Sequence, residues 1–293
     1  MQKITEIFLK KERTYSLEFF TPKTIEGQTQ IFDRAKILLN LGIDFFSVTY
    51  GAGGSTRLFT TEIVDQLQQR FKIPTMHHLT CIGHHPEELI QMIHDMKKKN
   101  ICNILALHGD PPKNIPDWRP PTESFSYAYQ LCELIRKQGK NNFSVGVAGF
   151  PEGHIRCPDR EADARYLKQK LDAGGDFVIT QLFFKNKDYF DYLTRLKKIG
   201  VQARVIPGIL PITNYENLVN FCQLCGTSIP AEIHTRFQPL KDDPAATLRA
   251  GIEFAIQQCR DLLKQGAPGL HFYTLNKVEP TREILSRLMP LFP

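Results

Sequence analysis

Short runs of apolar, β-branched and aromatic residues recur along the chain, separated by longer stretches of helical periodicity. In the longer stretches, apolar residues return every three or four positions, as in Ile63-Leu67-Phe71 and Leu131-Leu134-Ile135. The alternation of the two patterns predicts an α/β protein with a parallel sheet. The short runs predict eight β-strands, at Ser16 to Phe20, Phe45 to Tyr50, Thr75 to Cys81, Asn103 to Leu107, Ser144 to Phe150, Phe177 to Phe183, Arg204 to Ile209 and Leu270 to Leu275.

Eight strand–helix units in 293 residues favour a (β/α)8 TIM barrel, a fold of about 250 residues. Several strands are apolar on both faces, which is typical of parallel strands covered on each side. The additional length falls before the last strand, where Pro230 to Phe237 and Ala245 to Lys264 predict extra helices. No linker composition interrupts the chain, so we expect a single barrel domain over residues 1–293. A doubly wound open sheet is the alternative fold.

The composition, with 42% hydrophobic and 23% charged residues, is that of a globular chain with a sizeable core. No apolar stretch approaches the about 20 residues needed to cross a bilayer. Seven cysteines without a dense framework suit a reducing compartment, so we expect a cytoplasmic protein. The net charge of +6 is mild, and the sequence has no basic stripe with interleaved aromatics. We therefore expect neither a nucleic acid nor a membrane as a partner. The sequence leaves the oligomeric state open, a homo-oligomer included.

Two carboxylates stand where a TIM barrel gathers its active site, at the C-terminal ends of strands. Glu18 interrupts an apolar strand, and a buried carboxylate must be paired, hydrogen-bonded or protonated. Asp110 follows the fourth strand and precedes Pro111. Two such groups in different environments can divide the roles of proton donor and fixed charge. The structural alternatives are an ion pair or a solvated position for Glu18 and a simple turn for Asp110.

The histidines near the third strand raise a second enzyme class, a metal-dependent barrel hydrolase. His77, His78, His84 and His85 cluster there, and His108 ends the next strand. The usual metal array needs histidines at alternating positions of one strand, whereas adjacent residues face opposite sides. A non-enzymatic binding module is the third alternative, which the pairing of Glu18 with Asp110 disfavours.

Three further segments are weaker signals. The glycine-rich segment 51–56 lets backbone N–H groups approach a phosphate or a flat ring, but it lacks the dinucleotide fingerprint because Thr56 falls on its last glycine. Cys222 and Cys225 form a lone C-x-x-C inside a helical apolar pattern, which favours packing over metal binding. The Pro158-Asp159 pair opens a helix, on which Asp163, Tyr166 and Lys170 share one face by spacing.

Seven segments, in order along nearly the whole chain, resemble the methylenetetrahydrofolate reductases, flavin-dependent barrel enzymes of folate metabolism. The chain looks like the bacterial form, which consists of the catalytic barrel alone. The segments are Ser16-Leu17-Glu18-Phe19-Phe20-Thr21-Pro22-Lys23, Val48-Thr49-Tyr50-Gly51-Ala52, His78-Leu79-Thr80-Cys81, Leu107-His108-Gly109-Asp110-Pro111, Ile179-Thr180-Gln181-Leu182-Phe183-Phe184, Pro207-Gly208-Ile209-Leu210-Pro211 and His271-Phe272-Tyr273-Thr274-Leu275-Asn276.

The resemblance implies an FAD cofactor and a ping-pong reaction. FAD takes hydride from NADH or NADPH and passes it to 5,10-methylenetetrahydrofolate, which gives 5-methyltetrahydrofolate for methionine synthesis and one-carbon metabolism. By resemblance, Glu18 is the general acid that opens the folate ring to an iminium. Asp110 holds the pterin, favours the cationic iminium and makes the reduced flavin a better hydride donor.

The resemblance also assigns ligand contacts and exposes departures. His108 stands where an Arg often precedes Gly-Asp, and residues 154–158 replace a His-Pro-Glu-Ala-like stretch. Phe150, Lys277 and Asn217 stand where Tyr, Arg and Gln are usual. No metal is implied. The implied FAD contacts are Thr49, Tyr50, Ala52, His78, His108, Gly109, Asp110, Tyr127, Phe150, His154, Asp163, Tyr166 and Lys170. The implied substrate contacts are Glu18, Asp110, Gln181, Asn217, Lys277 and Phe221, the last stacking on nicotinamide.

Overall fold

Parallel strands surrounded by helices form the framework of the chain in the computed structural model, which describes residues 1–22, 24–51, 57–111, 115 and 117–292. The side chains of residues 57 and 58 are outside this description. Every strand pairing is parallel. The strands are β1 (Thr14–Phe19), β2 (Phe45–Val48), β3 (Thr75–Thr80), β4 (Asn103–Leu107), β5 (Ser144–Gly149), β6 (Phe177–Thr180), β7 (Arg204–Ile206), β8 (Gly208–Ile209) and β9 (Gly269–Tyr273).

The strands follow one another in the order β7-β6-β5-β4-β3-β2-β1-β9-β8. β7 and β8 are two pieces of the predicted seventh strand, separated by Pro207, which has no N–H to give to the ladder. β7 pairs with β6, and β8 pairs with β9 through Gly208 and His271. This divided strand therefore joins the two edges of the sheet, and the predicted TIM barrel is confirmed.

The helices connect successive strands and cover the barrel, and the extra helices before the last strand are confirmed. Asp159 begins α6 as predicted, since its side chain accepts from the backbone N–H groups of Glu161 and Ala162. Cys222 and Cys225 lie in α8, as their apolar pattern predicted. The helices are α1 (Ile4–Phe8), α2 (Ile25–Leu39), α3 (Arg57–Phe71), α4 (Pro86–Lys98), α5 (Ala128–Gly139), α6 (Arg160–Asp172), α7 (Asn186–Lys198), α8 (Tyr215–Cys225), α9 (Ala231–Phe237), α10 (Pro244–Lys264) and α11 (Glu279–Leu288). None of these described helices has the length and apolarity that a bilayer crossing requires.

The short helix α1 lies at the N-terminal ends of the strands, which form the bottom of the barrel. Its Ile4 is fully buried in a cluster with Phe45, Phe177 and other residues from the strands. The Ile4 N–H donates to Asn103 Oδ1 at 2.7 Å, so the helix is attached to the first residue of β4. The Arg204 guanidinium donates to the Phe8 and Lys11 carbonyls of the N-terminal segment and to the Pro268 carbonyl before β9. The cluster around Ile4 fills the bottom of the barrel with apolar side chains.

Candidate active site

Glu18 points into the barrel near the C-terminal end of β1. The parallel register places it beside Ser47 on β2 and Tyr273 on β9. Only 7% of the residue is exposed. Its Oε2 atom lies 3.5 Å from His78 Nε2 and 3.6 Å from His271 Nε2. A single buried carboxyl oxygen is therefore flanked by two imidazoles from neighbouring parts of the barrel wall.

His78 is held as a neutral imidazole beside this carboxyl. Burial lowers the pKa of His78 to about 4, although the Glu18 carboxylate acts in the opposite direction. The same Nε2 atom that faces Glu18 also contacts the Ser47 hydroxyl. His78 therefore contributes a polar contact to Glu18 without a full positive charge at neutral pH.

His271 turns an unsatisfied nitrogen toward Glu18. The Ser16 hydroxyl donates to the Leu270 carbonyl at 3.4 Å and lies 2.8 Å from His271 Nδ1, so it is best satisfied when Nδ1 donates to it. In that tautomer Nε2 carries a lone pair, and it is buried without a hydrogen-bond partner in the described structure. Glu18 Oε2 and His271 Nε2 therefore face each other in a buried polar layer of the barrel.

Asp110 lies in a different environment, exposed on the loop after β4. The loop turns at Gly109, whose φ is +87°. A Cβ at Gly109 would lie 2.7 Å from Thr80 Cβ and 2.8 Å from Ile82 Cγ2, so only glycine fits there. The two carboxylates predicted at the mouth thus differ in solvation, since Glu18 is buried and Asp110 faces water.

A cationic and aromatic group of side chains follows β5. The Lys170 ammonium donates to the Ala148 carbonyl at 2.5 Å and lies 5.6 Å from the centre of the Phe150 ring. Burial lowers the pKa of Lys170 and raises that of Asp163 to about 6, and each charge favours the other. His154 meets Phe150 edge to face at 4.6 Å. Asp163 and Lys170 thus lie toward the inner side of α6, whereas Tyr166, which the spacing predicted on the same face, is exposed.

The residues after β2 are engaged by the protein itself. Thr49 Oγ1 accepts from the Thr21 N–H at 3.1 Å. The Tyr50 ring is buried, and its hydroxyl lies 3.0 Å from His84 Nε2. Ala52, another expected FAD contact, lies outside the described residues.

Two expected FAD contacts present aromatic rings to solvent. Tyr127 is 60% exposed at the start of α5 and stacks on Tyr129, and Tyr166 is 56% exposed on α6. An exposed tyrosine ring offers a flat face to a planar group at low conformational cost. These rings therefore suit a planar ligand moiety outside the barrel mouth.

The expected substrate contacts lie beyond the C-terminal ends of the later strands. Gln181 follows β6, and its Oε1 accepts from the Leu182 N–H at 2.9 Å. On α8, Phe221 is half-buried and Asn217 is exposed. Lys277 follows β9 and donates to Thr213 Oγ1 at 3.0 Å.

The two adjacent histidines of β3 face opposite sides, as predicted. His77 Nε2 lies 3.1 Å from Thr61 Oγ1 on α3, in the layer between barrel and helices, whereas His78 faces Glu18. Across the described residues, no three or more His, Cys, Asp and Glu side chains are placed to hold a metal ion together.

The burial of His77 predicts a loss of stability in acid. Burial lowers the pKa of His77 from 6.5 to about 3. Below pH 6.5 the unfolded chain therefore binds a proton on His77 that the folded chain does not bind. This group alone should remove about 2 kcal/mol of unfolding free energy between pH 7 and pH 5. We expect His77→Gln to show a shallower fall in urea midpoint over this range than the unaltered protein. His94→Gln, at an exposed histidine of α4, is the control and should leave the pH dependence unchanged. Parallel pH profiles for His77→Gln and the unaltered protein would contradict the assignment.

Sequence reasoning selected His78 but not His271, the second histidine beside Glu18, nor Ser16 and Ser47, whose hydroxyls contact these two imidazoles. The signal was present in the strand period of two, because Ser16 and Glu18 alternate on β1 as His271 and Tyr273 do on β9. Polar residues at alternate positions of apolar strands point to a polar layer inside the barrel.

The side chains at the mouth fit a flavin nucleotide. The exposed rings of Tyr127 and Tyr166 suit its planar groups, and the cations Lys170 and Arg156 suit its diphosphate. His271 Nε2, which has no hydrogen-bond partner among the described residues, gives the inner end of the site a polar group.

The fold and the site together define a class, the TIM-barrel proteins with a buried acid at the C-terminal mouth. The sequence model described as methylenetetrahydrofolate reductase matches residues 2–289, so the chain belongs to the methylenetetrahydrofolate reductase family. It is 35% identical to "Methylenetetrahydrofolate reductase (NADH) 1" of Arabidopsis thaliana, over 98% of this chain and 50% of the relative. It is 33% identical to "Probable methylenetetrahydrofolate reductase (NADPH)" of Caenorhabditis elegans, over 98% of this chain and 44% of the relative. The chain thus spans about half the length of these curated relatives.

A solved structure shares the fold at low sequence identity. It is an uncharacterised protein from Clostridium thermocellum that binds two copies of 5-methyl-5,6,7,8-tetrahydrofolic acid. The TM-score is 0.64 at 16% identity, with 99% of this chain and 100% of the other covered. This likeness supports the barrel architecture.

Proposed function

We propose that the chain reduces 5,10-methylenetetrahydrofolate to 5-methyltetrahydrofolate in the cytoplasm, with FAD as cofactor and NADH or NADPH as hydride source, in a ping-pong reaction. The observation that carries the proposal is the buried Glu18 carboxyl between His78 and His271. The family membership supports the same reaction, and the relatives named above include both NADH and NADPH forms. When bound, the flavin supplies the hydride chemistry.

Glu18 supplies the proton in this proposal. Opening the five-membered ring of the folate needs a proton on the leaving nitrogen, and a buried carboxyl with a proton at the mouth is suited to give it. The lone pair of His271 Nε2 holds that proton in place until substrate arrives, and the Ser16 hydroxyl fixes the tautomer of His271. His78, kept neutral by burial, adds no repulsion toward a cationic folate.

Asp110 supplies the fixed negative charge. It is exposed on the loop after β4, which turns at Gly109, so it can accept hydrogen bonds from the pterin and favour the cationic iminium. Phe221 offers a half-buried aromatic face, and Gln181 offers an amide at the end of β6. Lys277 extends from the loop after β9, where an ammonium suits the carboxylates of a folate tail.

The cofactor would lie across the ends of β2 to β5. Lys170 and its neighbours after β5 would hold the diphosphate, and Tyr127 and Tyr166 would cover planar parts of the nucleotide. The backbone at Tyr50 and at Gly109 would approach the flavin. In this proposal, the FAD contacts expected from the sequence would lie together at one end of the barrel.

Purification with a visible flavin spectrum, or binding of added FAD, is the first test. We expect the protein with FAD to oxidise NADH or NADPH in a manner that depends on methylenetetrahydrofolate, with 5-methyltetrahydrofolate as product. Comparing the two nicotinamides in flavin reduction then gives the preferred donor. A protein that binds no FAD, even when FAD is added, would refute the proposal. A metal-dependent hydrolase would instead be colourless and carry a tightly bound divalent ion.

A further inference from the structure

Two places where the sequence departs from the family pattern contact each other at the mouth. The resemblance leads us to expect arginine at position 108, where this chain has histidine, and a His-Pro-Glu-Ala-like segment at 154–158, where this chain has Arg156. Arg156 Nη2 lies 3.4 Å from His108 Nδ1. The loop after β5 thus carries a guanidinium to the end of β4.

Among the described residues, this contact gives the guanidinium no acceptor. His108 Nδ1 lies 2.7 Å from the Gly109 carbonyl and is satisfied when it donates to that oxygen, so it presents an N–H rather than a lone pair to Arg156. In the described part of the chain, the ion pairs within 4.0 Å include none to Arg156. A guanidinium held against another donor is poised for an anion between or beside the two groups.

Cationic and acidic groups both act on the two histidines near Arg156. Burial and the Arg156 charge lower the pKa of both His108 and His154, and Lys170 adds to the effect on His154. Asp110 is the acidic group that acts on both histidines in the opposite direction. The Arg156 guanidinium and the Lys170 ammonium both favour a ligand with phosphate groups.

We propose that Arg156 binds the diphosphate of the FAD cofactor and supplies, from the loop after β5, the cation that position 108 lacks. The proposal rests on the proposed function and assigns a further cofactor-binding residue within that site. Because the guanidinium is exposed, it should add one charge-assisted contact near solvent to the FAD affinity.

Flavin binding without turnover tests this role. The experiment compares the dissociation constants of FAD and riboflavin, obtained from quenching of flavin fluorescence, for the unaltered protein and for Arg156→Gln. The variant should bind FAD about tenfold more weakly, because one charged contact of about 1.5 kcal/mol is lost. Riboflavin, which has no phosphate, should bind both proteins equally. Raised salt should reduce the difference in FAD affinity.

A charge-transfer variant makes the test specific. Adding His108→Arg to Arg156→Gln should restore FAD affinity to within about threefold of the unaltered protein, since a cation returns to the same place. Arg165→Gln, at an exposed arginine of α6, is the control and should leave FAD affinity unchanged. Equal weakening of FAD and riboflavin, or no weakening of FAD, would overturn the role of Arg156 while leaving the proposed function standing. Failure of the unaltered protein to bind any flavin would overturn both.

Discussion

Replacing Glu18 with glutamine is expected to slow folate reduction by about 10²–10⁴-fold, the usual contribution of a positioned general acid. Glutamine keeps the shape of the side chain and can still lie between His78 and His271, but it has no proton to transfer. Reduction of the bound flavin by NADH or NADPH should proceed at nearly the unaltered rate, because that step needs no proton from Glu18.

Stopped-flow measurement of the two half-reactions, under anaerobic conditions, separates these effects. FAD affinity and the urea midpoint of Glu18→Gln serve as controls for the fold and the cofactor site. If both half-reactions slow equally, Glu18 has a general structural role and the assignment as proton donor is wrong. Unchanged folate reduction would also refute it.

Replacing Lys170 with methionine is expected to lower the unfolding free energy by about 3 kcal/mol at pH 7. The change removes the hydrogen bond to the Ala148 carbonyl and leaves the buried Asp163 carboxylate without its nearby cation. The pKa of Asp163 in the folded chain is raised to about 6, so its carboxyl takes up a proton as the pH falls below that value. The cost of Lys170→Met should therefore be smaller at pH 5 than at pH 7.

Urea unfolding at the two pH values, without flavin, measures this cost. Lys168→Met is the matched control on α6, because Lys168 pairs with Asp172 on the surface and contributes about 0.3–0.5 kcal/mol. Combining Lys170→Met with Asp163→Asn should recover part of the lost stability by removing the unpaired charge. A double variant less stable than Lys170→Met alone would show that Asp163 and Lys170 do not act as a charge pair.

Much of the fold was readable because its strands are short, apolar and regularly spaced. The predicted and observed strands agree closely from β1 to β6, and α9 and α10 begin within one residue of their predicted starts. The division of the seventh strand was not predicted, although Pro207 supplies the reason. A proline in a strand has no ladder donor, yet sequence alone does not say whether the strand ends or resumes beyond it.

The polar interior of the site was only partly readable. Glu18 was identifiable because a charge in an apolar strand needs an explanation, whereas His271 and Ser16 are ordinary residues in strands. Their role depends on the register between β1 and β9, which brings residues more than 250 positions apart into contact. The direction of the Tyr50 ring depends in the same way on His84, a partner from another loop. Register and side-chain direction arise from packing across the whole barrel, which local patterns do not encode.

Helix α1 closes the bottom of the barrel, so the described structure opens toward Glu18 at the mouth. With Ile4 and its apolar neighbours filling the N-terminal end, a molecule that reaches Glu18 enters by the mouth and leaves by the mouth. If nicotinamide and folate both bind in this chamber, as the proposed function requires, they use the same opening. In the proposed ping-pong reaction, the nicotinamide would leave through that opening before the folate enters.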